Sequence, residues 1–578
     1  MADRDFLADT LDNIALLLEL KGENPFKTRA YRTGAETVRG FSGDIVQMAK
    51  DENLKGIKGI GDALAAKLHE LASSGKLEFY EKLRGEFPET IFELFEIQGL
   101  GAKKIKALHE QLDVSSVEEL KVACEEGKVA GLSGFGKKTE GKILAAIEYR
   151  ETHASLFRME QVAEAAERTL EALRSHPAVS RVDVAGSYRR GKEVVHDLDF
   201  LVATKKPGDV MEDFVALEGV EEVLVHGETK SSVRFENGLQ CDLRAVKNEE
   251  YPFALAYFTG SKEHNVEIRG RCLKKGFSLN EYRLEPVSDE SGPAPTIQSE
   301  EDLYGFLGLD YVEPALRENN GEVEAADEGN LPKLIELENL RGTFHNHTTE
   351  SDGKNTLREM AEGAQELGLQ YLGIADHSKS SFQANGLDES RLKEQVKEVA
   401  ALNEEFGDSF RLFSGTECDI LKDGSLDFDD EMLASLDYVV ASVHNAFTLG
   451  EGEMTRRIIA AMENPHVTML GHLTGRLLLK REPYAVNVPA VIEAAAETKT
   501  IIELNASPWR LDMDWRWWKL AKEKGVKCSI NPDAHSVDGL QALAFGVKVA
   551  RKGWLTREDV VNCLPLGRIE SALAVKGS

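Results

Sequence analysis

Two carboxylates, Asp197 and Asp199, sit inside the run HDLDFLVAT, and a third, Asp242, sits inside LQCDLRAV. Side chains at i and i+2 of a strand leave the same face. A third carboxylate on a neighbouring strand completes an all-oxygen site suited to two hard divalent ions, Mg²⁺ or Mn²⁺. Such a pair activates an attacking hydroxyl at one metal and steadies a pyrophosphate leaving group at the other. Just upstream lies Gly186-Ser187-Tyr188-Arg189-Arg190-Gly191. Its turn amides, the Ser187 hydroxyl and the Arg190 guanidinium are donors of the kind that grip a triphosphate. A DxD pair alone occurs in many polar hairpins; the spacing GS…DxD…D between apolar strands is what points to nucleotidyl transfer.

A second set lies in the C-terminal half: His345, His347, Asp352, Asp376, His377, Glu417, His444, His472, Asp533 and His535. Imidazole and carboxylate at this density favour Zn²⁺ or Mn²⁺ over Mg²⁺. A lone histidine is usually structural, but six of the chain's 14 recur here at equivalent places of a strand–helix repeat. A third feature is a near-repeat: Ile57-Lys-Gly59-Ile-Gly61, Ile97-Gln-Gly99-Leu-Gly101 and Leu132-Ser-Gly134-Phe-Gly136, each followed by an amphipathic helix. Paired glycines turn the backbone tightly and present successive N–H groups at a helix start, which binds phosphate without reading sequence. One copy reads equally well as a packing corner; three, each with Lys in or after the turn, read as a DNA grip.

The elements that must carry these residues fall into three blocks. Residues 1–150 show helical stripes, beginning with Leu11, Ile14, Ala15 and Leu18, interrupted by the glycine turns. From about residue 151 a helix over 155–175 precedes short strands at Val182–Ala185, Phe200–Ala203, Glu222–Val225, Ser232–Phe235 and Cys241–Val246, an antiparallel or mixed sheet. Residues 316–335, inside a polar, acidic, Pro- and Gly-containing stretch, read as a linker. Beyond it LGIAD, FRLFSGTE, YVVASVH, VTMLGH, TIIELNA and KCSINPD alternate with helices, a barrel-like α/β pattern with its site at the strand C-termini.

The 578-residue chain carries a formal net charge of −30, which taken alone argues against a nucleic-acid partner. Residues 281–340 alone hold 16 acidic and three basic side chains, however, so basic clusters such as Lys103-Lys104-Lys106 are not overwhelmed. Six scattered cysteines with no CxxC pair give neither a disulfide framework nor a thiolate zinc site. The charged start MADRDFLADT and the lack of a long apolar run imply no membrane and a cytoplasmic enzyme.

The run GSYRRGKEVVHDLDFLVAT, with YFTGS (Tyr257–Ser261), Asn265, Arg269 and GFSLNEY, resembles the catalytic core of the family X DNA polymerases, such as DNA polymerase beta. The resemblance covers about residues 1–315. It implies a lyase-like helical domain with helix-hairpin-helix over 1–85, a fingers-type hairpin region over 86–150, a palm over 151–250 and a thumb over 251–315. It implies Asp197, Asp199 and Asp242 as catalytic metal ligands, with Gly186, Ser187 and Arg190 at the triphosphate. Tyr257, Phe258 and Gly260 would line the sugar, Asn265 the base and Arg269 the template-side minor groove. Lys67 matches the Schiff-base lysine of the family's lyase activity. Two departures stand out: Val195-His196 and Gln240 replace a Ser-Gly pair and an Arg.

Residues 336–578 resemble the PHP (polymerase and histidinol phosphatase) domain. That implies a distorted (β/α)₇ barrel holding about three Zn²⁺ or Mn²⁺ ions on His345, His347, Asp352, His377, Glu417, His444, His472, Asp533 and His535. It also implies 3′–5′ exonuclease, abasic-site endonuclease or 3′-phosphatase chemistry. The expected whole is a monomeric, multidomain repair polymerase acting on gapped or nicked DNA with dNTPs. The competing readings are a phosphoesterase whose polymerase half only docks DNA, and a DNA-end scaffold. Trp509, Trp515, Trp517 and Trp518 near the barrel mouth read either as core or as a platform for an unpaired base.

Overall fold

In the computed structural model residues 4–574 are described, apart from 42–44, 58, 98 and 154. The chain divides into two compact units, Met1–Ala154 and Ser155–Ser578. Among the described residues no helix is long and apolar enough to cross a membrane.

The first unit is helical throughout its described residues. Leu7, Leu11, Ile14 and Leu18 recur at three- and four-residue spacing on the helix Arg4–Lys21, so one face is buried against Pro25–Gly40 and the later helices. Each glycine hairpin feeds a helix: Asp62–Ser74, Ala102–Leu112 and Lys137–His153.

The second unit opens on the helix Met159–Ser175, shorter at its start than expected because Phe157–Arg158 pairs as a strand with Val194–Val195. A mixed five-stranded sheet follows in the order Val179–Val184, Asp197–Thr204, Gln240–Val246, Lys230–Phe235, Val220–His226. The Asp197 and Asp242 strands run parallel and the rest antiparallel.

The stretch read as an acidic linker is folded. Leu316, Val323 and Ala326 are buried in one core with Leu303 and Leu307. Its acids find partners far away: Glu318 meets Arg190, and Glu322 takes a 2.7 Å hydrogen bond from His264. Local composition signalled a linker because those partners lie far along the chain.

Beyond residue 340 every strand pair is parallel. Pairing runs Gly342–Thr343, Tyr371–Gly373, Arg411–Phe413 in one sheet and Gly415–Asp419, Tyr438–Ser442, Met469–Leu470, Ile501–Asn505, Cys528–Asn531 in another. The bridge His377–Glu417 joins the two sheets on one side, and Asn346–Ala534 joins them on the other. The strands bury both faces, as parallel strands covered by helices do. All six cysteines are free and buried.

Candidate active sites

Asp199 and Asp242 are direct partners in the parallel register, and Asp197 lies two residues back on the same strand. Burial, then Asp197 and Asp242, push the Asp199 carboxyl up to about 7; Asp197 is raised for the same reasons. Three carboxylates held this way repel one another, and a divalent cation among them removes the repulsion. Lys230 Nζ lies 3.2 Å from Asp242 Oδ2, and Gln240 Nε2 donates to Asp242 Oδ1 at 2.9 Å. The Gln that departs from the family pattern thus orients a carboxylate. Gly186 (φ 62°) is packed so tightly on Asp199 that a Cβ there would collide with its carboxylate.

Ser187 and Arg190 belong to the short helical turn that follows Gly186 and to its cap. Arg190 is already engaged: its Nη1 donates to Thr259 O at 2.5 Å and its Nε to Glu318 at 2.9 Å. Gly260 borders Arg190 Nη1, and Phe258 sits under the Arg244 guanidinium. Asn265 Nδ2 donates to Tyr257 O at 2.7 Å, and Arg269 lies 5.9 Å from the Tyr257 ring. Tyr257, Asn265 and Arg269 line a narrow cleft with Phe253, Leu279 and Tyr304.

The nine C-terminal residues converge. Eight of them lie beyond the C-terminal end of a parallel strand, the end at which such folds build their sites, and Glu417 lies within the strand Gly415–Asp419. Glu417 stands at the centre: His472 Nε2 is 2.9 Å from it, His377 Nδ1 2.9 Å, His444 Nε2 3.0 Å and His345 Nε2 3.2 Å. Asp533 Oδ1 lies 3.2 Å from His347 Nε2, and Asp352 Oδ1 lies 3.4 Å from His535 Nε2. The ligand atoms fall into four overlapping groups: His347, Asp352, His377 and His535; His345, Glu417 and His472; His345, His347 and Asp533; His377, Glu417 and His444. The fit to metal is testable on the atoms themselves. His345 Nε2, His347 Nδ1 and His377 Nδ1 are buried without a hydrogen bond, although each faces a carboxylate. A buried polar atom is rarely left so. Cations between the facing lone pairs satisfy them. His345 (φ 56°) and Asp533 (φ 53°) both hold left-handed backbone, a strained conformation that gathers at functional sites.

Burial pushes His347 down to about 4, helped by His535 and His377 stacked on it. Burial also lowers His444, but Glu417 and Asp419 outweigh it and hold this histidine at about 10.

Sequence reading missed the supports. Glu503 Oε2 lies 2.5 Å from His345 Nδ1 and Asp419 Oδ1 3.1 Å from His444 Nδ1, the carboxylate–histidine arrangement that fixes a ligand's tautomer. Asp419 was signalled by its i+2 spacing from Glu417 on one strand. Asp376 is not in the cluster: it accepts from Thr348 N (2.7 Å), Thr348 Oγ1 (2.6 Å) and Gln395, tying down the loop that carries Asp352. Arg510 Nε is 3.5 Å from Asp533 Oδ2, while its Nη1 is buried with no hydrogen bond. Trp515 and Trp518 are core and Trp517 packs on it; Trp509 is 46% exposed, with the Arg158 guanidinium 3.5 Å above its ring.

In the first unit Gly59, Gly99 and Gly134 take φ values of 95°, 89° and 86°, and Gly136 takes 155°. Gly61 and Gly101 cap their helices with no side-chain acceptor, leaving the first amides free for an anion. Lys58 and Gln98, inside two of these turns, lie outside the described residues. Lys67 is half-buried, 5.2 Å from the Phe79 ring.

Sequence profiles described as helix-hairpin-helix domain, SAM-like helix-hairpin-helix tandem, DNA polymerase beta thumb and PHP domain match residues 3–77, 91–148, 254–318 and 343–507. The DNA polymerase/3′-5′ exonuclease PolX of Bacillus subtilis is 40% identical over 565 residues, 97% of this chain and 98% of its own. The chain belongs to the family X DNA polymerases that carry a PHP domain. Within this family X chain the PHP domain has relatives of its own. A probable phosphatase of Thermoanaerobacter sp. (strain X514) is 29% identical over 247 residues, 40% of this chain and 94% of its own. One of Caldicellulosiruptor saccharolyticus is 29% identical over 229 residues, 38% and 90% of the two chains.

Proposed function

We propose that this family X chain fills short DNA gaps at the Asp197/Asp199/Asp242 site and trims or cleans 3′ ends at the His345–His535 cluster. Family membership makes it a DNA-directed DNA polymerase with 3′–5′ exonuclease activity. The observation that carries the division of labour is the presence of two separate ligand sets of different chemistry, one all-carboxylate and one rich in imidazole.

At the first set Asp197, Asp199 and Asp242 hold Mg²⁺ or Mn²⁺, which when bound lowers the pKa of the primer hydroxyl and offsets charge on the leaving pyrophosphate. Ser187, Arg190 and the Gly186 turn grip the triphosphate. Tyr257, Phe258 and Gly260 face the sugar, Asn265 the base and Arg269 the template-side minor groove. At the second set the nine residues would hold about three Zn²⁺ or Mn²⁺ ions, whose chemistry when bound would be to activate water toward a phosphoester. Arg510 supplies a guanidinium to that phosphate; its unpartnered Nη1 supports this. The glycine hairpins hold DNA by its backbone, and Lys67 forms the Schiff base of a lyase step. The partners are gapped or nicked DNA and dNTPs, met by a monomer in the cytoplasm. Abasic-site incision and 3′-phosphate removal belong to the same barrel chemistry, which its resemblance to probable phosphatases supports.

The test is a one-nucleotide-gapped duplex with Mn²⁺ and labelled primer, with and without dNTPs, run on wild type, Asp197→Ala and His345→Ala. Extension lost only in the first variant and primer shortening lost only in the second upholds two sites. A wild type that shortens but never extends the primer gives the chain to the hydrolase-with-docking reading.

A further inference from the structure

Among the contacts between the barrel and the turn that carries Arg190 is one made by a buried charge. The helix Leu543–Lys552 ends on Lys552, whose side chain has 0% exposure. Its Nζ lies 2.6 Å from Glu318 Oε1 and donates to the Arg190 carbonyl at 3.1 Å. Glu318 also accepts from Arg190 Nε at 2.9 Å and pairs with Lys192 Nζ at 3.2 Å. Three cations therefore surround one carboxylate, which leaves two positive charges uncompensated beside the residues read as triphosphate contacts. The same helix covers this turn elsewhere, with Lys548 Nζ 5.1 Å from the Tyr188 ring.

Folding alone gives a poor account of Lys552. A buried ion pair is expensive to desolvate, and an apolar side chain of similar volume generally serves as well or better. Arg190 gives a better one. Its guanidinium is fixed from two sides, by Glu318 and by Thr259 O, and a donor held in place gives up less freedom when it meets a phosphate. Lys552 keeps Glu318 charged, oriented and electrically spent, so that the carboxylate steers the arginine without repelling the anion.

We propose that Lys552 of the barrel is a positioning residue of the polymerase site, acting through Glu318 on Arg190 to hold the triphosphate grip in place. This rests on reading Arg190 as a triphosphate contact.

The experiment is steady-state gap filling by the full chain with Mg²⁺ and varied dNTP, comparing wild type, Lys552→Met, Lys552→Arg, Glu318→Gln and Arg190→Ala. Melting temperature and dNTP-free exonuclease rate are measured on each. The expected result for Lys552→Met is a KM for dNTP raised about tenfold, the scale of one charge-assisted hydrogen bond, with kcat within about twofold. Exonuclease activity stays unchanged, and Lys552→Arg recovers most of the KM. An unchanged KM in Lys552→Met overturns the proposal. So does a parallel loss of KM, kcat, exonuclease activity and melting temperature that Lys552→Arg does not reverse. Should Lys552→Met fail to fold, Glu318→Gln decides: a raised KM supports the link and an unchanged one overturns it. If Arg190→Ala also leaves the KM unchanged, the reading of Arg190 itself has failed; if Arg190→Ala raises it and Lys552→Met does not, only the barrel's part has.

Discussion

Asp199 and Asp242 face each other across two parallel strands, residue for residue, so neither can move without shifting the sheet that holds the other. Their mutual repulsion is a standing demand for a cation. Asp242→Asn keeps the shape and removes the charge. Extension of a gapped primer is expected to fall about 1,000-fold, the scale of losing a metal that supplies several kcal/mol of charge stabilisation. Primer shortening without dNTPs should persist. Loss of both activities in this variant would tie them to one site.

Glu503 buttresses His345 from below the second cluster. Glu503→Gln preserves the hydrogen-bonding shape but weakens the imidazole as a ligand. A loss of about 10–100-fold in metal affinity or exonuclease rate is expected, with gap filling intact. Isothermal titration of the metal-stripped protein with Mn²⁺ measures the first quantity directly, and an unchanged isotherm would sink the assignment.

Glu300 offers a pH test outside both clusters. Burial pushes its carboxyl up, but Arg317 at 2.5 Å and Arg189 at 2.7 Å outweigh this and bring it down to about 2. In the unfolded chain it returns to about 4.3. Between those values the unfolded chain holds a proton that the folded chain lacks. The stabilisation is therefore complete above about pH 4.3 and drains away as pH falls toward 2. Glu300→Gln should cost about 3 kcal/mol at pH 7, because the buried Arg317 guanidinium and the partly buried Arg189 lose their partner, and the deficit should narrow in acid. All five tryptophans lie between residues 509 and 554, so urea unfolding followed by their fluorescence reports this unit. A deficit independent of pH would show that the carboxylate charge is not what matters.

At the glycine hairpins, Gly134→Ala forces an alanine into φ 86° and should weaken duplex binding severalfold. No charge is removed, so the dependence of affinity on salt should keep its slope. Lys137→Ala, at the start of the helix that follows, should lower that slope by about one unit. Fluorescence anisotropy across a salt series separates the two. A Gly134→Ala variant that binds as tightly as wild type would reduce that hairpin to a packing corner.

Much of both sites was legible because their residues carry chemistry at fixed places in a repeat. Asp197, Asp199 and Asp242 announce themselves as charges inside apolar strands, and His345 to His535 recur where strands end. The supports were harder to see. Glu503 lies on a strand beside ordinary apolar residues, and only three-dimensional proximity to a histidine gives it meaning; Asp419 had only its spacing from Glu417 to mark it. The acidic stretch after residue 313 misled for a related reason. Glu318 and Glu322 have the composition of a solvated tether, yet their partners lie on other elements, out to Lys552. Trp509, Trp515, Trp517 and Trp518 look alike in sequence, but the helix Trp515–Glu523 turns two of them into the core, while Trp509 remains at the surface under Arg158.

The bond from Lys552 to the Arg190 carbonyl spans 362 residues of chain. A ribosome adds roughly 5–20 residues per second, so roughly 20 to 70 seconds separate the synthesis of the two partners. From the completion of Asp242 onward the nascent palm contains all three of its aspartates but lacks the lysine that caps the turn carrying Arg190. The contacts that Lys552 makes with Glu318 and the Arg190 carbonyl therefore form only after nearly all of the C-terminal half has been synthesised.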